Sequence, residues 1–106
     1  MNKKFIVRKN EEIQEIIKKN KKIINKYYII YVKNNDYNYN RYCISVGKKI
    51  GKAHTRNLYK RRIKDILMKN DINSSCDYVI ILRTAIIGIK YEIIRDELIK
   101  ALKGEK

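Results

Sequence analysis

The sequence predicts one α+β domain, and three observations carry that expectation. Apolar residues recur at helical spacing in three stretches, residues 13–20, 52–69 and 91–102. Between them lie β-branched and aromatic stretches at 27–33, 41–47 and 77–83. No linker, internal repeat or low-complexity tract divides the chain, so residues 1–106 are expected to share a single, rather thin core.

Asn10 followed by Glu11 and Glu12 reads as a helix start, an N-cap side chain ahead of carboxylates at the positive end of the dipole. Ile13, Ile16 and Ile17 then give one apolar face through about Asn20. Residues 27–33 (YYIIYVK) suit a strand, and 34–40 (NNDYNYN) a turn. In Arg41 to Gly47, Tyr42, Ile44 and Val46 alternate with Cys43 and Ser45, a second strand expected to pair with the first as an antiparallel hairpin. A further strand falls either within residues 21–26 or by splitting 27–47, and the pattern does not choose. Gly51 permits a sharp entry into a helix running to about Lys69, with Tyr59, Ile63, Ile66 and Leu67 as its core stripe. Asp77 to Arg83 holds five consecutive apolar positions, which suits a strand covered on both sides or central in a sheet. Gly88 interrupts, and a final helix buries Tyr91, Ile94, Leu98 and Leu102.

Charge then narrows the function. The formal net charge is +15 on 106 residues, and Lys48 to Lys64 (KKIGKAHTRNLYKRRIK) carries eight Lys or Arg without an acid. An AT-rich genome would explain scattered lysines, but not an acid-free block. Charge this dense repels itself until an anion neutralises it, and a phosphate backbone does so with release of counterions. At about 100° per residue, Arg56, Asn57, Lys60, Arg61 and Lys64 share an arc of ~140° beside the core stripe, with Lys48, Lys49 and Lys52 at its entrance. Asn57 is the neutral member, able to donate and accept, which fits a specific base or phosphate contact or a local surface amide.

Other classes fit poorly. No apolar run approaches the ~20 residues of a membrane span, and the N-terminus lacks an apolar signal region, so a soluble cytoplasmic protein is expected. Cys43 and Cys76 are too few and too far apart for a disulfide framework or zinc site, and read as buried or half-buried small residues. All eleven acids lie outside residues 37–64, and Asp65 and Asp77 show no motif spacing, so neither a metal site nor a carboxylate-based hydrolytic centre is expected. His54 is the only histidine and has no second His for acid–base catalysis; a structural or phosphate-contacting role is expected.

The block around Lys48–Lys64 resembles the signature of the bacterial ribonuclease P protein subunit. The likeness runs over Ser45, Val46, Lys48, Lys49, Gly51, Ala53, Arg56, Asn57, Lys60 and Arg61. It extends to Lys9-Asn10-Glu11, the tyrosine-bearing strand at 28–31 and the Asp77–Leu82 strand, in order and over nearly the whole chain. The chain departs from the family pattern at Leu58, Lys52, Lys64, Cys43, Ile13 and Ile17. Lys64 cannot copy the bidentate fork of Arg, and the two isoleucines offer no π-face where the family often has Phe.

The resemblance implies a two-layer α+β sandwich with a four-stranded sheet, in the order α-β-β-β-α-β-α with a left-handed β-α-β crossover. It implies the accessory subunit of an RNA-based endoribonuclease that removes the 5′ leader of precursor tRNA, the polypeptide alone being inactive. The catalytic residues then belong to the partner RNA, and Mg²⁺ is bound mainly by that RNA and the substrate. Lys48, Lys49, Lys52, Arg56, Asn57, Lys60, Arg61 and Lys64 would contact the catalytic RNA. Ile13, Ile17, Tyr31, Cys43 and Ser45 would line a cleft for the single-stranded leader, Tyr31 being open to a plain packing role as well. No membrane and no obligate protein partner is implied. A ribosomal or other RNA-binding module explains the charge equally well but not the ordered signature. A membrane-surface helix lacks an exposed apolar stripe beside the cationic face.

Overall fold

A four-stranded sheet with strand order β1-β2-β4-β3 organises the chain. The computed structural model describes residues 2–70, 72 and 74–104. Its elements are α1 (Asn10–Lys18), β1 (Lys22–Ile24), β2 (Tyr28–Asn34), β3 (Arg41–Ser45), α2 (Ala53–Lys69), β4 (Cys76–Leu82) and α3 (Tyr91–Lys103). Short 3₁₀ turns lie at Lys3–Phe5, Lys48–Ile50 and Thr84–Ile86.

The expected hairpin between residues 27–33 and 41–47 does not form. β4 lies between those strands, antiparallel to β2 and parallel to β3. β2 turns back instead on β1, which settles the extra strand within residues 21–26. The reason lies in β4: a strand apolar on both faces loses most by sitting at an edge, so it takes the central slot. The Asn-rich segment after β2 therefore bridges a gap one strand wide. Asn35 and Asn40 hold it, Asn35 donating to an Asp77 carboxylate oxygen at 2.9 Å and Asn40 accepting from the Ser74 and Cys76 amides.

One sheet face builds the main core. Tyr28, Ile30, Val32, Tyr42, Tyr78 and Ile80 meet the expected stripe of α2 (Tyr59, Ile63, Ile66, Leu67) and Ile94, Leu98 and Leu102 of α3. The buried Tyr28 hydroxyl donates to the Ile94 carbonyl at 2.9 Å, and burial pushes this phenol well above its usual range. Tyr91 stays half-exposed and donates to Asp65.

α1 packs on the other face, against a smaller cluster of Val7, Ile16 and Val79. Asn10 is its first helical residue rather than its cap; Lys9 holds the cap position and no side chain caps the helix. The helix ends at Lys18, and Asn20 takes a left-handed φ of 56°, a conformation Asn tolerates.

Gly51 ends the turn before α2 with φ 157°, and a Cβ there would meet Thr55 Cγ2 at 3.0 Å. Gly51→Ala is therefore expected to lower stability by about 1–3 kcal/mol, read as an earlier urea midpoint. An unchanged midpoint would mean that the turn relaxes freely.

Candidate nucleic-acid interface

All the cations of residues 48–64 except Arg62, which lies over the Tyr59 ring, gather along one flank. After Gly47 the chain makes a 3₁₀ turn anchored by buried Ile50, which leaves Lys48 and Lys49 exposed. Lys52 occupies the N-cap of α2, where no side-chain oxygen accepts from the first amides, so the positive helix end adds to the cationic entrance. Arg56, Lys60 and Lys64 follow at one-turn spacing, half-buried, beside exposed Asn57 and Arg61. Half-burial suits them: the stems pack while the heads reach water. Arg56 Nε has no hydrogen-bond partner. His54 is exposed in the first turn of α2.

Strand register decides the second surface. On the face carrying α1, Lys22, Tyr31, Val79 and Cys43 stand side by side across the four strands. The neighbouring row is Ile24, Ile29, Ile81 and Ser45. With strands about 4.8 Å apart, Tyr31 and Cys43 flank a strip roughly 10 Å wide. Ile13, Tyr31, Cys43 and Ile81 pack around the Val7–Ile16–Val79 cluster. Ile17 is half-exposed on α1 outside that cluster, and Ser45 is exposed at the end of β3. Ile13, Tyr31 and Cys43 thus share the sheet face on which α1 packs, with Ile17 and Ser45 at its margins. Lys22 Nζ lies 5.6 Å from the Tyr31 ring centroid, a cation the sequence reading missed.

The two surfaces meet along β3, an edge strand. α2 packs against this strand, and burial pushes the Cys43 thiol above its usual value while Lys60 of α2 opposes the rise. On β4, between β2 and β3, Val79 is buried and Ile81 half-buried under α1, because the five-residue apolar run supplies side chains to both faces.

A third cluster fixes α1 to the sheet. Arg41 donates through Nε and Nη2 to both carboxylate oxygens of buried Asp77, at 2.9 and 2.7 Å, and through Nη2 to Glu12 of α1 at 3.0 Å. Its guanidinium also lies 4.8 Å from the Tyr37 centroid. Asp77 is thus a structural anchor. Among the described residues, no group of three His, Cys, Asp or Glu side chains could hold a metal ion, and no helix is long and apolar enough to cross a membrane.

Fold and charge together define a class: a small, strongly basic α+β protein whose helix α2 carries a cationic flank. Comparison with known proteins makes this specific. The ribonuclease P family model matches residues 1–105. The ribonuclease P protein component of Mycoplasma mycoides subsp. mycoides is 46% identical over 110 residues, covering 100% of each chain. That of a Geobacillus strain is 36% identical, with 97% of this chain and 91% of the relative covered. Among solved structures, the RNase P protein of Staphylococcus aureus superposes with a TM-score of 0.85 at 31% identity, covering 96% of this chain and 95% of that one. The Thermotoga maritima RNase P protein gives 0.88 at 28% identity, covering 94% and 96%. The chain belongs to the ribonuclease P protein family.

Proposed function

We propose that this chain is the RNA-binding protein subunit of a ribonuclease P, acting in the cytoplasm on precursor tRNA. The α2 flank, with Lys48, Lys49, Lys52, Arg56, Asn57, Lys60, Arg61 and Lys64, docks on phosphates of the catalytic RNA. The groove of Ile13, Ile17, Tyr31, Cys43 and Ser45 takes the single-stranded 5′ leader. The observation that carries this reading is the junction at β3, where the cationic helix packs against the edge strand that carries Cys43 and Ser45. One molecule can thereby touch both RNAs.

The chemistry that follows is electrostatic. Two polyanions repel on approach, and a +15 protein between them lowers that cost. Mg²⁺ bound mainly by the catalytic RNA and substrate would supply Lewis-acid chemistry for phosphodiester hydrolysis, and the cations of α2 would aid it only by bringing the two RNAs together. The polypeptide orients the leader. Stacking of a base on Tyr31 tolerates any sequence, as many different leaders require.

Reconstitution tests the reading. Added to a bacterial ribonuclease P RNA at low Mg²⁺, the protein is expected to accelerate leader release, whereas alone it cleaves nothing. Cleavage unaffected by the protein would leave it an RNA-binding module of another kind. In the same assay, Tyr31→Ala is expected to raise KM about 5- to 150-fold for leader-bearing precursors, the range of one lost stack. Its affinity for the catalytic RNA should hold. Equal losses in both would make Tyr31 a packing residue only.

A further inference from the structure

We infer that an aromatic-walled cavity at the C-terminal end of α2 receives one unstacked base of the same RNA whose backbone lies along the α2 cations. The inference rests on the reading above that this flank holds the catalytic RNA. The one-turn spacing of Arg56, Lys60 and Lys64 continues to Met68, which is 53% exposed. Met68 lines a cavity of about 360 Å³ together with Leu67, Phe5, Tyr39 and Tyr42.

The character of the surface changes at this end. Lys69 is paired with Asp65 at 3.3 Å, so the run of unpaired cations stops. Aromatic rings take over: Phe5 and Tyr39 meet edge to face with centroids 5.4 Å apart, and Tyr37 stacks on Tyr39 at 5.1 Å. Lys4 Nζ lies 5.0 Å from the Tyr39 centroid and 5.1 Å from that of Phe5, and has no carboxylate partner among the described residues. Tyr37 covers one face of Tyr39, so a base entering here takes the place of Lys4 over the ring, meets the polarisable Met68 thioether and leaves that cation to its own phosphate.

The wall is preformed. Buried Asn40 donates to the Tyr42 hydroxyl and the Ile72 carbonyl, and Tyr42 stacks on Tyr78 with centroids 5.7 Å apart. A wall already packed in this way loses little entropy when the cavity fills. Continuity with the cation stripe names the occupant: a backbone tracking Arg56, Lys60 and Lys64 arrives at Met68. The leader groove, by contrast, lies on the opposite face of the sheet, behind α1.

Filter binding of the full-length chain to an in vitro transcribed bacterial ribonuclease P RNA, across a salt series, tests this. Tyr39→Leu keeps apolar bulk and removes the π-face, and is expected to weaken binding about 5- to 150-fold. The salt slope should stay unchanged, since stacking releases no counterions. Tyr39→Phe should restore affinity. Met68→Ala, at a site too exposed to threaten folding, should lose several-fold with the same slope. Unchanged affinity for both Tyr39→Leu and Met68→Ala would overturn the inference, as would equal weakness of Tyr39→Leu and Tyr39→Phe. So would a loss confined to leader-bearing precursor. If Lys60→Ala lowers the slope while these variants bind normally, only the cavity is refuted; no binding by the unaltered chain would refute the proposed function as well.

Discussion

Asp77→Ala is expected to cost about 3–5 kcal/mol of folding stability, the usual result of removing one partner from a buried ion pair. Asp77 is 3% exposed, and the Arg41 side chain 13%. The truncation strands a guanidinium that donates two bonds to the lost carboxylate, and leaves the Asn35 amide without its acceptor on β4. Glu12 cannot compensate, being more exposed and reached through one nitrogen only. Urea unfolding followed by circular dichroism reads the loss directly. Replacing both partners by apolar residues, Arg41→Met with Asp77→Leu, should recover much of it, because no buried charge is then left unpaired. A loss below about 1 kcal/mol for Asp77→Ala would mean that water reaches Arg41 freely and that the pair behaves as a surface contact. The anchor matters to function because Arg41 is what ties α1, the groove wall, to the sheet.

Most elements were legible in the sequence, β1 excepted. Helical spacing identified the core stripes of α2 and α3, and the unbroken apolar run of 78–82 marked β4 as covered on both sides or central. Strand pairing was not legible. Seven Asn- and Asp-rich residues look the same whether they close a hairpin or step over a missing strand, since both are exposed turns. The information that β4 fills the gap resides in residues 35 to 50 positions away, in pairs such as Arg41 with Asp77 and Asn35 with Asp77. The candidate site divides in the same way. Cations at helical spacing declare a flank within one element, so Arg56, Lys60 and Lys64 were readable. The groove depends on register between strands, so Val79, Ile81 and Lys22 emerged only once Tyr31 and Cys43 were seen to share a row. The expected Asn10 cap failed for a smaller reason. Asn10 took the first helical position, and Glu12 in the same turn was drawn to Arg41.

Replacing Arg56, Lys60 and Lys64 together by Ala should have the largest effect on RNA binding. If each neutralises one phosphate, the loss reduces the slope of log K against log salt by about 2.7, taking ~0.9 per phosphate of a duplex. Measured from 1 M salt, where screening removes most of this attraction, that slope corresponds to about a 10²-fold weaker complex at 0.15 M. Folding should survive, since the three side chains lie outside the α2 core stripe and Arg56 Nε has no protein partner to leave behind. The control removes the same charge elsewhere: Lys90, Lys100 and Lys103, all exposed around α3, replaced together by Ala. A diffuse attraction between a +15 protein and RNA would respond equally to either triple. A docked interface responds to the first and hardly to the second. Equal slopes for the two triples would remove α2 as the RNA-binding surface, and with it the reason for this helix to carry its cations on the flank beside β3.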